Sequence, residues 1–495
     1  MSYLLALDQG TTSSRALLFK DDGTLAGWHQ EPLDVAYPNP GWVEQDAEAI
    51  FSTQRTCLLR VLEDNGVASG EVAALGIANQ RETTIIWERS TGKPIGPAIV
   101  WQDRRTADQC RRLREAGAAA QVKARTGLLL DPYFCATKIG WLLNQVPGAR
   151  ARAEAGELAF GTVDTWLLWR LSEGRVHATD VSNAARTLLF DIHKQQWDPE
   201  LLKLFEVPEA LLPEVGANTA DFGSVRIGDA QLGVHGMAGD QQSALFAQAC
   251  LEPGQAKATY GTGAFVLVNT GAAAEAAGLL TTLAWRLHDA EPVYALEGSI
   301  FNAGAVVQWL RDGLGLIEKS EDVEALAASV EDSDGVWFVP ALTGLGAPYW
   351  RPHARGAVLG LTRATRGAHI ARAALEAIAF RVCDVVKAVN AATDRPVSEI
   401  RVDGGASRND LLMQIQADLL GAPLQRPHQT EITAVGAALL AGIGAGVLGN
   451  EAPRQWWQSE RRFEPTLDPD RRAKRYVAWQ RVVGHVAEWS EDLQP

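Results

Sequence analysis

A carboxylate followed by a run of hydroxyls lies close to the start of this chain. Asp8 precedes Gly10, Thr11, Thr12, Ser13 and Arg15 within one short polar turn. Gly10 frees the backbone to approach a ligand, and the three hydroxyls add donors. Successive N–H groups in such a turn form an anion-binding nest. A carboxylate beside a phosphate cradle suggests a metal carried with the phosphate, because Mg²⁺ binds through one or two carboxylates plus substrate oxygens. Arg15 offers a positive charge to the same anion. An ordinary hairpin with a polar tip fits the spacing as well.

Three further places carry chemistry. Arg81-Glu82 supplies donors and acceptors together, as a polyol would need, although such a pair at a strand end is commonly just solvated. Trp101 and Tyr133 could wall a carbon backbone, or serve only as core or surface aromatics. Asp240 stands where a strand gives way to a helix, a position suited to a general base and equally to a helix cap. The Gly261-Thr262-Gly263 turn repeats the strand, Gly-Thr turn, strand pattern of the N-terminus. The bare backbone of Gly404-Gly405 would let a base or ribose come close. No Gly-x-x-x-x-Gly-Lys-Ser/Thr, no Gly-x-Ser-x-Gly and no His/Cys cluster with metal spacing competes with these features.

The elements that must position these residues follow from apolar pattern and punctuation. Tyr3–Leu7 and Ala16–Phe19 read as paired buried strands, with Leu25–Gln30 a third. A helix is expected from Asp46 to Glu63. Val72–Ala78 reads as a strand ending just before Arg81-Glu82, and Thr83–Glu88 as the next. The stretch Glu214–Gly233, polar and Gly-containing, reads as a surface loop. Ala256–Tyr260 and Ala264–Asn269 are strands around the second Gly-Thr turn. Gly304 opens a helix, and 370–389 forms one face of a long amphipathic helix. A helix from Asn409 to Leu420 should stop at Gly421 with Pro423 beyond. This alternation is α/β. The echoed hairpins suggest two similar domains, with a boundary near Cys250-Leu-Glu-Pro-Gly254: residues 1–250 with the first hairpin and Asp240, and 251–495 with the second.

Length and composition set the limits. A chain of 495 residues suggests two to four domains. At 46% hydrophobic and 21% charged it resembles an ordinary globular protein. A net charge of −14 argues against nucleic acid as a main partner. It does not argue against ATP, which needs only local donors. The five cysteines are scattered without a C-x-x-C pair, which points to reduced thiols and a cytoplasmic setting. No signal peptide is expected. The uncharged stretch from Ile432 to Asn450 is mostly small residues and reads as a buried, tightly packed helix rather than a membrane span.

Taken together, these segments resemble the glycerol kinases, members of the carbohydrate kinase family that also contains xylulose and gluconate kinases. The resemblance rests on ALDQGTTSSRA at 6–16, PGWVEQD at 40–46, NQRETT at 79–84, IVWQDRR at 99–105 and DPYF at 131–134. It continues with FGTVDTWL at 160–167, AGDQQSALF at 238–246, TYGTGAF at 259–265, TGLGAPYW at 343–350 and RVDGGASRNDLLMQ at 401–414. It implies two ribonuclease H-like domains of the actin and hexokinase type, each a mixed sheet flanked by helices, with the active site in the cleft between them. The implied reaction is transfer of phosphate from Mg-ATP to glycerol, giving sn-glycerol 3-phosphate and ADP, with domain closure excluding water. By matching motif positions, Asp8 would organise Mg²⁺. Thr11, Thr12, Ser13 and Arg15 would hold phosphate, as would Gly261 and Thr262. Arg81, Glu82, Trp101, Tyr133, Asp240, Gln241 and Phe265 would hold glycerol, Asp240 acting as the base. Gly304, Gln308, Gly405 and Asn409 would take the adenosine end. A homodimer or homotetramer is implied, with no membrane insertion.

Two regulatory features of some bacterial relatives look absent. The stretch Arg226–Gly233 is short where a basic Gly-rich loop would bind a sugar bisphosphate, and Asp221 precedes Phe222-Gly223 where a phosphorylatable histidine would stand. A nucleotide-switched assembly protein of the same fold is the alternative from another class; it would hydrolyse ATP slowly without a small acceptor.

Overall fold

The computed structural model describes residues 2–227 and 230–491. The chain forms two compact units: Met1–Ala249 with Thr281–Tyr294 and Glu431–Trp457, and Cys250–Leu280 with Ala295–Thr430 and Gln458–Pro495.

The first unit is built on a six-stranded mixed sheet. Its strand order is Ser224–Ile227, Ala230–Gly239, Val72–Asn79, Tyr3–Gln9, Ser13–Lys20, Leu25–Pro32. Leu4 to Leu7 are all buried, which is why this strand reads as an unbroken apolar run rather than an alternation. It pairs antiparallel with Ser13–Lys20 in a register that sets Asp8 opposite Arg15. On its other side it runs parallel to Val72–Asn79, which in turn runs parallel to Ala230–Gly239. The carboxyl ends of three parallel strands thus deliver Asp8, the segment after Asn79 and Asp240 to one edge, where ligands of open α/β sheets bind.

Helices cover the faces. Ala47–Asp64 starts at Asp46, whose carboxylate accepts from the Glu48 N–H at 2.9 Å. The stretch singled out for its lack of charge forms the helix Ile432–Gly444, thirteen residues long and almost wholly buried. Its small residues permit close packing: a Cβ on Gly436 would sit 2.1 Å from the carbonyl oxygen of Ser243. Among the described residues no helix is long and apolar enough to cross a membrane.

The expected surface loop at 214–233 is instead largely strand. Glu214–Gly216 pairs with Ala178–Asp180, and Ser224–Ile227 forms an antiparallel hairpin with Ala230–Gly239. Val225, Ile227, Leu232 and Val234 are buried while Arg226 and Gln231 point outward. This is a period-of-two pattern, masked in the sequence by the glycines and charges between the strands. Gly228 and Asp229, within the stretch expected to be a shortened regulatory loop, lie outside the described residues. Thr83 lies outside the strand and Thr84 makes only an isolated bridge to Ile99, so that strand starts at Ile85.

The second unit repeats the arrangement. Its sheet has the strand order Val293–Ile300, Ala264–Gly271, Ala256–Tyr260, Ile400–Asp403, Leu424–Pro427, Ser459–Phe463. Ala256–Tyr260 pairs antiparallel with Ala264–Gly271 and parallel with Ile400–Asp403, the same hairpin-plus-parallel-strand motif as in the first unit. The long helix Gly367–Ala392 presents Ala371, Ala374, Leu375, Ile378, Val382, Val385 and Val389 to its core.

Candidate functional site

In the first unit the parallel strands end in a connected set of polar side chains. Arg81 and Glu82 follow directly on Val72–Asn79 and are almost wholly buried, not the solvated pair that a charged dipeptide at a strand end usually makes. The Arg81 guanidinium reaches Asp240 through Nε at 3.2 Å, donates to Gln242 Oε1 at 3.3 Å and meets the Tyr133 hydroxyl at 3.5 Å. Asp240 is the first residue of the helix Asp240–Ala247, directly after the N-cap position Gly239. Its Oδ1 accepts from the Gln241 N–H at 2.7 Å, while the Gln241 amide lies 3.3 Å from Oδ2. Asp240 keeps 31% side-chain exposure against 2% for Arg81. A carboxylate so held on one side and open on the other is placed to receive a proton from a bound hydroxyl.

The aromatic wall is assembled as well. Trp101 and Tyr133 pack edge to face at 5.7 Å, and the Trp101 indole N–H donates to Thr11 Oγ1 at 3.0 Å. Thr11 donates onward to Gln80 Oε1 at 3.2 Å, and its carbonyl accepts from the Gln45 amide at 2.6 Å. The Gly10–Ser13 turn is therefore tied to the Trp101–Tyr133 pair through the Thr11 hydroxyl. Gly10 N–H donates to the Ser13 carbonyl at 3.0 Å, closing the turn, with Thr12 exposed and Ser13 buried.

Asp8 is half-buried at the end of its strand. Removal from water pushes its carboxyl up to about 7. Arg15 opposes that shift, while the charges of Glu431 and Asp240 add to it. Arg15 itself is ion-paired with Glu431 at 2.5 Å. Among the described residues no group of three or more His, Cys, Asp or Glu is arranged to hold a metal ion. The donor set fits a divalent cation that arrives with a polyphosphate: one carboxylate that gains from a nearby positive charge, beside the hydroxyls of the Gly10–Ser13 turn.

In the second unit the corresponding turn is pinned by backbone hydrogen bonds. The Gly304 N–H donates to the Gly261 carbonyl at 2.9 Å, and the N–H groups of Ala303 and Ala305 donate to the Thr262 carbonyl at 2.9 and 3.0 Å. Gly261 and Thr262 are exposed and Gly304 opens the helix Gly304–Asp312, from which Gln308 points outward. Phe265 stands on the strand leaving the turn. Gly404 has φ +86°, and a Cβ there would lie 2.6 Å from the Tyr260 carbonyl oxygen, so the strand end and the glycine pair touch backbone to backbone. Gly405 faces open space. Asn409 caps the helix Asp410–Leu420, accepting from Leu412 N–H at 2.8 Å.

Two buried cations escaped the sequence reading. Arg186 donates to Glu82 Oε1 at 2.6 Å. Lys138, drawn down in pKa by burial, donates to the carbonyls of Glu82 at 2.7 Å and Tyr133 at 3.0 Å. Glu82 adopts a left-handed φ of 62°, a conformation that costs a non-glycine residue energy and persists only where its surroundings fix it. A signal was present: a lysine at a position otherwise buried on its helix. Its partners lie too far along the chain for local pattern to find.

The N-terminal domain of the FGGY family of carbohydrate kinases matches residues 3–247 and its C-terminal domain residues 256–445. The chain belongs to the FGGY family of carbohydrate kinases. It is 58% identical to the glycerol kinase of Aromatoleum aromaticum over 494 residues, covering 99% of both chains. It is 54% identical to that of Citrifermentans bemidjiense, over 99% of this chain and 100% of the relative. Among solved structures, the Plasmodium falciparum glycerol kinase with ADP superposes with a TM-score of 0.92 at 34% identity, covering 98% of each chain. A ligand-bound xylulose kinase from Lactobacillus acidophilus shares the fold, with a TM-score of 0.90 at 21% identity over the whole of both chains.

Proposed function

We propose that this protein transfers the terminal phosphate of ATP to glycerol, giving sn-glycerol 3-phosphate and ADP, as a step in glycerol use. The observation that carries this reading is the buried Arg81, which links Asp240, Glu82 and Tyr133 in one polar pocket against Trp101. A small polyol needs such alternating donors and acceptors. The identity to glycerol kinases over nearly the whole chain supports the choice of acceptor.

In this reading Arg81, Glu82, Tyr133 and Gln241 bind the hydroxyls of glycerol, and Trp101 and Phe265 meet its carbons. Asp240 takes the proton of the attacking hydroxyl, a contribution of ~10²–10⁴-fold. Arg81 fixes the orientation of that carboxylate and keeps one edge of it engaged. Thr11, Thr12, Ser13 and Arg15, with Gly261 and Thr262, bind phosphate through hydroxyls, backbone and charge. Gly304, Gln308, Gly405 and Asn409 serve the nucleoside. Asp8 would hold Mg²⁺, which supplies charge neutralisation on the phosphates when bound. Positioning of the two substrates accounts for much of the remaining acceleration. A cytoplasmic homodimer or homotetramer is the assembly we propose.

ADP release by the purified protein with Mg-ATP tests the reading, using glycerol, dihydroxyacetone, xylulose, gluconate and no acceptor. Turnover fastest with glycerol is expected. Preference for a ketose would move the assignment to another acceptor on the same fold, and slow hydrolysis indifferent to every acceptor would overturn it.

A further inference from the structure

Glu82 is held from three directions by groups outside the acceptor set. Its carboxylate takes the Arg186 Nε–H at 2.6 Å, with side-chain exposures of 0% and 1%. Its carbonyl takes Lys138 at 2.7 Å and the Cys135 thiol at 3.4 Å. Arg81 Nε lies 3.9 Å away on the other side of the same carboxylate oxygen. Arg186 does more than pair. Its guanidinium lies over the rings of Tyr133 and Phe134, 5.6 and 5.2 Å from their centroids. The segment carrying it is anchored too: the Thr187 carbonyl accepts from the Ala136 N–H at 3.0 Å at the start of the helix Cys135–Gln145, and Leu188 is left-handed at φ 65°. Left-handed backbone therefore occurs on both sides of one buried ion pair, at Glu82 itself and two residues beyond Arg186.

We infer that Arg186 is a positioning residue that fixes both Glu82 and Tyr133 and thereby sets selectivity for an acceptor presenting a hydroxyl, rather than a carbonyl, to Glu82. This rests on the assignment of the pocket to a polyol. A carboxylate salt-bridged to guanidinium groups only accepts hydrogen bonds. It rewards a hydroxyl and repels a carbonyl oxygen, and a site built to bond a hydroxyl discriminates strongly against an analogue lacking it. Without the Arg186 charge only the more distant Arg81 opposes protonation of the buried carboxyl, which then takes a proton and donates more readily because burial disfavours the charged form. A carbonyl then becomes acceptable in the same place.

The test is the ratio of kcat/KM for glycerol to that for dihydroxyacetone and for glyceraldehyde, in wild type and Arg186→Gln. The ratio for at least one of the two carbonyl acceptors should fall about 10-fold or more, with glycerol KM raised more than kcat is lowered. Arg186→Lys, which keeps a positive charge, should retain most of the preference. A folded Arg186→Gln protein with the wild-type ratio for both carbonyl acceptors would overturn the inference. Should Arg186→Gln be recovered only as aggregate, Glu82→Gln and the Glu82→Gln/Arg186→Gln double variant are compared. Arg186 acting through Glu82 requires their ratios to agree within about twofold, the tolerance for a shared pathway in a double-mutant cycle; a 10-fold difference refutes it. Failure of the polyol assignment itself reads differently, as a wild-type enzyme with no preference for glycerol.

Discussion

Replacing Asp8 by asparagine should make the ligand-free protein more stable at neutral and alkaline pH while removing its activity. The carboxyl of Asp8 moves from its ordinary 3.8 to about 7 in the folded chain. A displacement of that size corresponds to about 4 kcal/mol of ionisation cost. Asp8 is only half-buried, and solvent screening brings the expected effect to about 2–4 kcal/mol. The sign follows from proton binding. Between pH 4 and 7 the unfolded chain has released this proton and the folded chain retains it, so wild-type stability falls as pH rises and levels off above about 7. The substituted asparagine has no such proton to release and contributes no such slope. Asp180, also pushed up to about 7 by burial and by the Asp164 charge, is present in both proteins and cancels in the comparison. Urea unfolding of the two proteins at pH 4.5 and pH 8, without nucleotide or metal, reads the difference directly. The gap should be small at the lower pH and favour Asp8→Asn at the higher. A variant less stable than wild type at pH 8, or a gap that ignores pH, would refute the reasoning.

Asp240→Asn should lower kcat ~10²–10⁴-fold with the circular dichroism spectrum near wild type, since asparagine keeps an Oδ1 that can accept from the Gln241 N–H and the side chain is 31% exposed. Near-normal turnover in a folded Asp240→Asn protein would remove Asp240 from the role of base. Gly436→Ala should cost at least about 1–3 kcal/mol, because its Cβ would meet the backbone and Oγ of Ser243 at 2.1 and 2.4 Å, and neither Ser243, inside a helix, nor the buried helix Ile432–Gly444 can retreat easily. Chemical denaturation measures this loss. Ser243 lies on the helix that starts with Asp240, so kcat should fall together with stability.

Features that depend on neighbouring residues were legible in the sequence. The helix starts near Asp46 and Asn409, the left-handed Gly421 stop and both Gly-Thr hairpins stand where they were expected. The packed helix expected over Ile432–Asn450 from its lack of charge and small side chains is present but shorter, ending at Gly444. Features that depend on distant partners were not legible. Arg81-Glu82 resembles a solvated pair until Arg186, 104 residues from Glu82, and Lys138, 56 residues away, are brought beside it. The hairpin at 224–239 was hidden for a different reason. Its apolar alternation is short, and glycine and charge between the strands imitate a loop. Similarly, Asp240 could be read locally only as a residue at a helix start, where its carboxylate does accept from the Gln241 N–H; its pairing with the distant Arg81 was beyond local pattern.

The chain path of the first unit has a consequence for synthesis. Its final segment, Glu431–Trp457, carries the helix that packs backbone to backbone against Gly76, Gly236 and Ser243. A ribosome that has made residues 1–249 has therefore supplied the strands of this unit but not the helix that closes one face of them. The apolar surface of Val72–Asn79 and Ala230–Gly239 must wait through the whole of 250–430 before its cover is translated. For a nascent chain growing at about 5–20 residues per second, that is a wait on the order of ten seconds or more. During that interval the N-terminal half carries an uncovered apolar face, the kind of surface that chaperones bind.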